Sequence, residues 1–171
     1  VMSITGAPEN APYRVGYPMA DTIGGITAAF AVAAALADRN RTSGTFIDVS
    51  MLEAVMATMG WAVSNHLIAG REPKPMGNEN GTASPSGTFQ TQDGLLNIAA
   101  NKQEQFEAVC HVVGLPQLIA DERFHERQSR LQNRAELKAL LEEAMSTKTT
   151  EEWWKLFNRA GVPAGPVSSV P

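Results

Sequence analysis

From Ile23 to Leu36 the chain is apolar or small on every helical face, Thr27 alone excepted, a pattern that predicts a buried helix rather than an amphipathic one. Pro18 fixes the backbone ahead of it, and Asp21 with Thr22 offers the side-chain oxygens a helix entrance uses, which makes Asp21 the expected N-cap. A polar turn, Asp38 to Gly44, follows, and Thr45–Val49 then alternates as a short strand. Ser50 and Glu53 have capping-box spacing, and Met51, Leu52, Val55, Met56, Met59 and Val63 give one stripe of a second helix reaching about Ala69. Gly70 and the Pro73 to Gly77 stretch end it.

The pattern then changes. Gly77 to Gly87 is polar and glycine-rich, and reads as a flexible loop, either an inter-domain linker or a cover over a ligand. Thr88–Gln92 and Leu95–Ala99 flank Asp93-Gly94, the signal for a hairpin with a type I′ turn. Lys102 to Val113 is amphipathic, with Phe106, Val109, Cys110 and Val113 on the inward side. Asn133 with Glu136 and Thr149 with Glu152 repeat the capping-box spacing ahead of two more helices, the first carrying Leu137, Leu140, Leu141 and Met145, the second Trp153, Leu156 and Phe157. The elements amount to helix, strand and helix of an α/β fold followed by a hairpin plus helices, a small α+β domain. The boundaries are 1–70 for the first segment, 71–87 for the linker and loop, 88–161 for the small domain, and 162–171 for an extended return linker.

Composition narrows the function. Fourteen basic against 18 acidic residues leave a net charge of −4, which gives no electrostatic footprint for nucleic acid. The apolar run is short for a bilayer span, so no membrane is expected, and one cysteine, Cys110, fits a reducing, cytoplasmic setting as a core thiol. His66, His111 and His125 lie in separate segments without a second ligand at metal spacing, so no metal is expected. The chain opens without an initiator methionine, in an unpatterned stretch, and stops in an extended tail. Both ends suggest a piece of something longer.

What rises above this background is Asp21, a carboxylate at a helix entrance where the positive end of the helix dipole favours it. It reads either as a cap or as chemistry. Gly24 and Gly25 each cost a helix roughly 0.5–1 kcal/mol relative to alanine, which suggests close approach to the backbone. Arg39 and Arg41 read either as contacts for a phosphate or, more simply, as solvated residues of a turn. With Gly77, Asn78 and Gly81 of the loop, the candidate ligand contacts are Gly24, Gly25, Arg39, Gly77, Asn78 and Gly81.

Asp21-Thr-Ile-Gly-Gly25, Ala35-Leu-Ala-Asp-Arg39, Thr42-Ser-Gly44 and Phe46-Ile-Asp-Val-Ser-Met-Leu-Glu53 resemble the class III CoA-transferases, the family of formyl-CoA transferase and α-methylacyl-CoA racemase. Ile98-Ala-Ala-Asn101, Asp121-Glu-Arg-Phe124, Asn133-Arg134 and Gly161-Val-Pro-Ala-Gly-Pro-Val167 continue the likeness in the family's order. The resemblance implies a segment of a Rossmann-like large domain joined to a small α+β domain, in an interlocked homodimer. It implies that Asp21 is the catalytic nucleophile of an acyl-CoA:carboxylate CoA-transferase, working through an aspartyl-CoA thioester. Coenzyme A thioester is then a substrate, with no permanently bound cofactor, and a small carboxylic acid accepts. The family's glycine-rich loop falls at Gly77–Gly87, here interrupted by Asn78, Glu79, Asn80 and Pro85. Two alternatives stay open: a racemase using Asp21 as acid/base, whose partner histidine would precede Val1, and a non-catalytic acyl-CoA-binding or assembly module. Gln103, where racemases tend to carry an acidic residue, favours transfer. Because most CoA contacts would lie outside these residues, the chain alone is expected to be inactive.

Overall fold

The computed structural model describes residues 1–40 and 42–170, and these divide into two compact units, Val1–Gly77 and Asn78–Pro171.

The first unit is helical. After a 3-10 turn at Met2–Ile4 come α1 (Met19–Ala37), α2 (Met51–Thr58) and α3 (Trp61–Ala69). Four expectations are corrected. The helix predicted to be buried forms, but Gly24 is its sole buried residue, and Ile26, Phe30 and Leu36 are 62%, 75% and 64% exposed. A helix apolar all round needs neighbours on all sides, and here α2 covers one. Asp21 is not the N-cap: the cap falls three residues earlier, at Pro18, placing Asp21 in the first turn of the helix. Thr45–Val49 pairs with no strand among the described residues. The second helix breaks into α2 and α3 at Gly60, whose φ of 48° and ψ of −114° lie outside the helical region. Its Ser50 cap is as expected, with the Glu53 N–H donating to Ser50 Oγ at 3.2 Å.

The second unit is a three-stranded antiparallel sheet under helices. β1 (Ser86–Gln90) pairs with β2 (Leu95–Ala99), and β2 with β3 (Ala164–Pro166). The tail expected as a linker therefore supplies the third strand, because Gly161 lets the chain turn back beside β2. The hairpin is longer than its Asp-Gly signal suggests. Gln90 faces Leu95, leaving Thr91–Gly94 as the loop, and neither Asp93 nor Gly94 has the positive φ a type I′ turn requires. Asp93 is engaged elsewhere: its Oδ1 accepts from the Thr150 N–H at 2.7 Å and from the Thr150 hydroxyl at 2.8 Å.

α4 (Gln103–Val112), α6 (Arg134–Met145) and α7 (Thr150–Arg159) fall where the apolar stripes placed them. Phe106, Val109, Cys110, Leu137, Leu141, Met145, Trp153 and Phe157 join Phe89, Leu96, Ile98 and Phe124 in one core. Burial pushes the Cys110 thiol up to about 12, so it is an inert core group. The Thr149–Glu152 capping box is complete, with both reciprocal bonds formed. Asn133 makes no capping bond; its side-chain amide donates instead to the Arg123 and Ser129 carbonyls. Trp154, unlike Trp153, is 39% exposed.

The unit also contains a helix without an apolar stripe, α5 (Arg127–Gln132), whose inward residue is Arg130. At 3% exposure, Arg130 donates through Nε to the Ser84 carbonyl at 2.9 Å. Its Nη1 reaches the Phe124 carbonyl at 2.8 Å, and its Cζ lies 4.2 Å from the Phe106 ring centre. Arg127 donates to the Thr82 carbonyl at 2.7 Å, and Lys138 pairs with Glu79 at 2.6 Å. The 78–87 segment is thus pinned rather than loose. At Gly87, with φ of 148°, a Cβ would stand 2.5 Å from the Asn78 carbonyl oxygen, so no larger residue closes this stem.

Two carboxylates give the second unit an acid-side limit. Hydrogen bonds from Thr150, backbone first, hold the Asp93 carboxyl below the ordinary range, and those from the Arg123 side chain hold Asp121 down to about 2. A carboxyl depressed by folding adds stability above its unfolded value and loses it as pH falls through the folded one. Denaturant midpoints are therefore expected to drop between about pH 4 and pH 2. Asp93→Asn should drop less steeply than wild type over that interval, and parallel curves would count against the assignment.

Candidate active site

The entrance of α1 forms a small cavity of about 210 Å³, lined by Arg14, Tyr17, Met19, Ala20, Asp21 and Val55 among others. The preceding coil is held locally: the Tyr13 N–H donates to the Thr5 carbonyl at 2.8 Å, and the Gly77 N–H to that of Gly6 at 2.8 Å. The Met19 N–H goes to the Tyr17 carbonyl at 2.8 Å, and the Thr22 N–H makes the first helical bond, to Pro18, at 3.0 Å. Between them, the N–H groups of Ala20 and Asp21 have no protein acceptor among the described residues, as the first turn of a helix requires. Asp21 is exposed, and no described side chain bonds its carboxylate. The site therefore holds a free carboxylate beside free backbone donors.

Arg14 is the side chain sequence reasoning passed over. It lies seven positions before Asp21, in coil, where no periodicity marks it, yet it lines the same cavity. Among the described residues no ion pair joins it to an acid.

The other candidates are dispersed. Gly24 is approached closely, but by Met51 of α2: a Cβ there would stand 3.0 Å from Met51 Cγ. Around Gly25 there is open space. Arg39 is exposed in the turn after α1, and Arg41 lies outside the described residues. Gly77, Asn78 and Gly81 stand in the pinned segment, where the Asn78 carbonyl accepts from the Thr88 N–H at 3.2 Å. Among the described residues no group of three or more His, Cys, Asp or Glu side chains is placed to hold a metal ion.

A fold pairing this helix entrance with the small α+β unit is found in solved structures. A CaiB/BaiF family protein from Brucella suis superposes with a TM-score of 0.80 at 34% identity, covering 99% of this chain and 45% of its own. A succinyl-CoA:glutarate CoA-transferase from Mus musculus is 37% identical over 171 residues, 99% of this chain and 39% of that protein. An acetyl-CoA:oxalate CoA-transferase from Acetobacter aceti is 37% identical, with 99% and 44% covered. The profile of CoA-transferase family III matches residues 1–171, and the chain belongs to that family. It spans about two fifths of the length of the relatives it matches.

Proposed function

We propose that these residues form the nucleophile-bearing part of an acyl-CoA:carboxylate CoA-transferase, in which Asp21 carries the acyl and then the CoA group. The observation behind this reading is the unpartnered Asp21 carboxylate in a cavity at the entrance of α1, within a family III chain. Asp21 attacks the thioester carbonyl of the donor, giving a mixed anhydride and CoA thiolate. The thiolate attacks the aspartyl carbonyl, releasing the donor acid and leaving an aspartyl-CoA thioester. The acceptor carboxylate attacks that thioester, and the returning thiolate takes the acceptor's acyl group and frees Asp21. Covalent catalysis divides one difficult transfer into easier steps. The Ala20 and Asp21 N–H groups suit the oxyanions that develop, as preorganised donors do.

The relatives named above are transferases, which favours this reading over the racemase one. Gly24, Gly25, Arg39, Gly77, Asn78 and Gly81 remain our candidates for CoA contacts, and a homodimer in the cytoplasm our expected setting. The 19 residues of α1, with a mean hydropathy of 1.6, meet the length and composition of a membrane span as well as those of a core helix. We assign it as a core helix of the longer protein, since a nucleophile in its first turn has to meet a soluble thioester.

The test is chemical trapping. Full-length protein incubated with acyl-CoA and hydroxylamine should yield a hydroxamate at Asp21, located by peptide mass spectrometry. A protein that turns over without modification at Asp21 would refute the mechanism.

A further inference from the structure

We infer that the 78–87 segment is a pre-organised wall for coenzyme A rather than a closing lid, and that Arg127 and Lys138 are the positioning residues that keep it in its binding shape. The inference rests on the reading above in which Asn78 and Gly81 meet coenzyme A.

A polar, glycine-rich stretch is ordinary material for a lid, since glycine has the most conformational freedom to lose when it is fixed. Here the stretch is bonded along nearly its whole length. Its two legs pair through the Glu79–Gly87 bridge, with the Thr88 N–H donating to the Asn78 carbonyl at 3.2 Å and the Asn80 N–H to that of Ser86 at 3.0 Å. At the turn between the legs, the Thr82 N–H and hydroxyl donate to Asn80 Oδ1 at 2.8 Å and 2.9 Å. Two helices then hold the segment from outside. Lys138 of α6 donates to the Glu79 carboxylate at 2.6 Å, and Arg127 of α5 to the Thr82 carbonyl at 2.7 Å. Lys138 is itself tied to the sheet: Glu142, one turn on, lies 4.0 Å from its ammonium and accepts from the Gln90 N–H of β1 at 2.9 Å.

Little is left free. The Asn78 side chain, which is exposed, and the Gly81 N–H have no hydrogen-bond partner among the described residues. A carboxamide and a backbone donor on a fixed frame can bond the amide or phosphate oxygens of coenzyme A without a segment having to be ordered first. Where only a fraction of molecules holds the binding shape, the apparent affinity falls by that fraction, and pre-organisation removes the loss. Arg127 and Lys138 therefore act on the affinity for the thioester without touching it.

Hydrogen exchange on full-length enzyme without ligand is the first test. The Asn80 and Thr88 amides should exchange on the order of 100-fold or more slower than in an unstructured chain. Exchange at the unstructured rate would make the segment a lid and overturn the inference. The second test uses Arg127→Gln/Lys138→Gln, which removes both outer ties and leaves Arg130 in place. The two amides should lose protection, and KM for acyl-CoA should rise by about 3- to 30-fold with kcat within about twofold of wild type. Lys138→Arg, which keeps a cation opposite Glu79, should stay near wild type in both readings. Amides that keep their protection in the double variant, or loosened amides with an unmoved KM, overturn the inference, and so does a loss confined to kcat. Hydroxamate trapping on the same variant keeps it apart from the reading of Asp21. Modified Asp21 with an unmoved KM removes the positioning role alone, whereas unmodified Asp21 in an active wild type removes the nucleophile.

Discussion

Replacing Asp21 by alanine or asparagine in the full-length protein is expected to lower kcat by a factor on the order of 10⁴–10⁶, the scale seen when a covalent nucleophile is deleted. Structure should survive the change. Asp21 is exposed, makes no side-chain hydrogen bond among the described residues, and does not cap α1, which begins behind Pro18. Far-ultraviolet circular dichroism and the thermal midpoint should therefore stay close to wild type, and the hydroxamate should disappear. Asp21→Glu is the sharper variant. It keeps the charge but advances the carboxylate by one methylene, and a displacement of about 1 Å costs roughly 10²-fold where groups must be aligned for attack. Glutamate should thus fall between wild type and alanine. Were asparagine within tenfold of wild type, Asp21 would be serving the first turn of a helix and nothing more.

The apolar stripes of α4, α6 and α7 were legible because each pairs with a core that the second unit builds for itself, from Phe89, Leu96, Ile98 and Phe124. In the first unit the helical stretches were legible and their environment was not. The run around α1 has the composition of a buried helix, but α2 covers only one side of it, so Phe30 and Leu36 are exposed. Thr45–Val49 has the alternation of a strand, but no strand among the described residues pairs with it, and a partner edge is what turns alternation into a ladder. The hairpin forms where the sequence places it, but its turn departs from type I′: the Asp93 carboxylate bonds Thr150 at the start of α7, a distant claim that competes with the local preference of Asp-Gly. At the site, Asp21 was found through its place at a helix entrance and the family pattern around it. Arg14, which lines the same cavity, carried no such mark, since a lone arginine in coil belongs to no periodic pattern.

Arg130 was hidden by the same blindness, and replacing it should have the largest effect on stability. Hydrophobic periodicity treats an arginine as surface, so α5 showed no inward face. Yet this guanidinium is 3% exposed and bridges three carbonyls from two segments: Ser84, Phe124 and, at 3.2 Å, His125. Desolvation lowers its pKa from the ordinary value, a cost that the carbonyls and the Phe106 ring offset in place of an acid. Arg130→Met preserves much of the stem's volume but strands those carbonyls, and a buried acceptor left without a donor costs about 1–3 kcal/mol. A net loss of about 2–4 kcal/mol is expected in urea unfolding of the whole chain, with part of the loss relieved because the buried charge goes too. Arg130→Lys should recover only a fraction, since an ammonium cannot reach both segments at fork geometry. Amide exchange then separates a clamp from a general weakening. Under native conditions the Asn80 and Thr88 amides, which close the 78–87 stem on the Ser86 and Asn78 carbonyls, should lose protection in Arg130→Met before the Val113 amide of the core does. Arg127→Gln, which removes only the exposed bond to Thr82, should loosen the stem with little change in the unfolding midpoint. A midpoint that does not move in Arg130→Met would mean the carbonyls find water, and that the stem stands without its arginine.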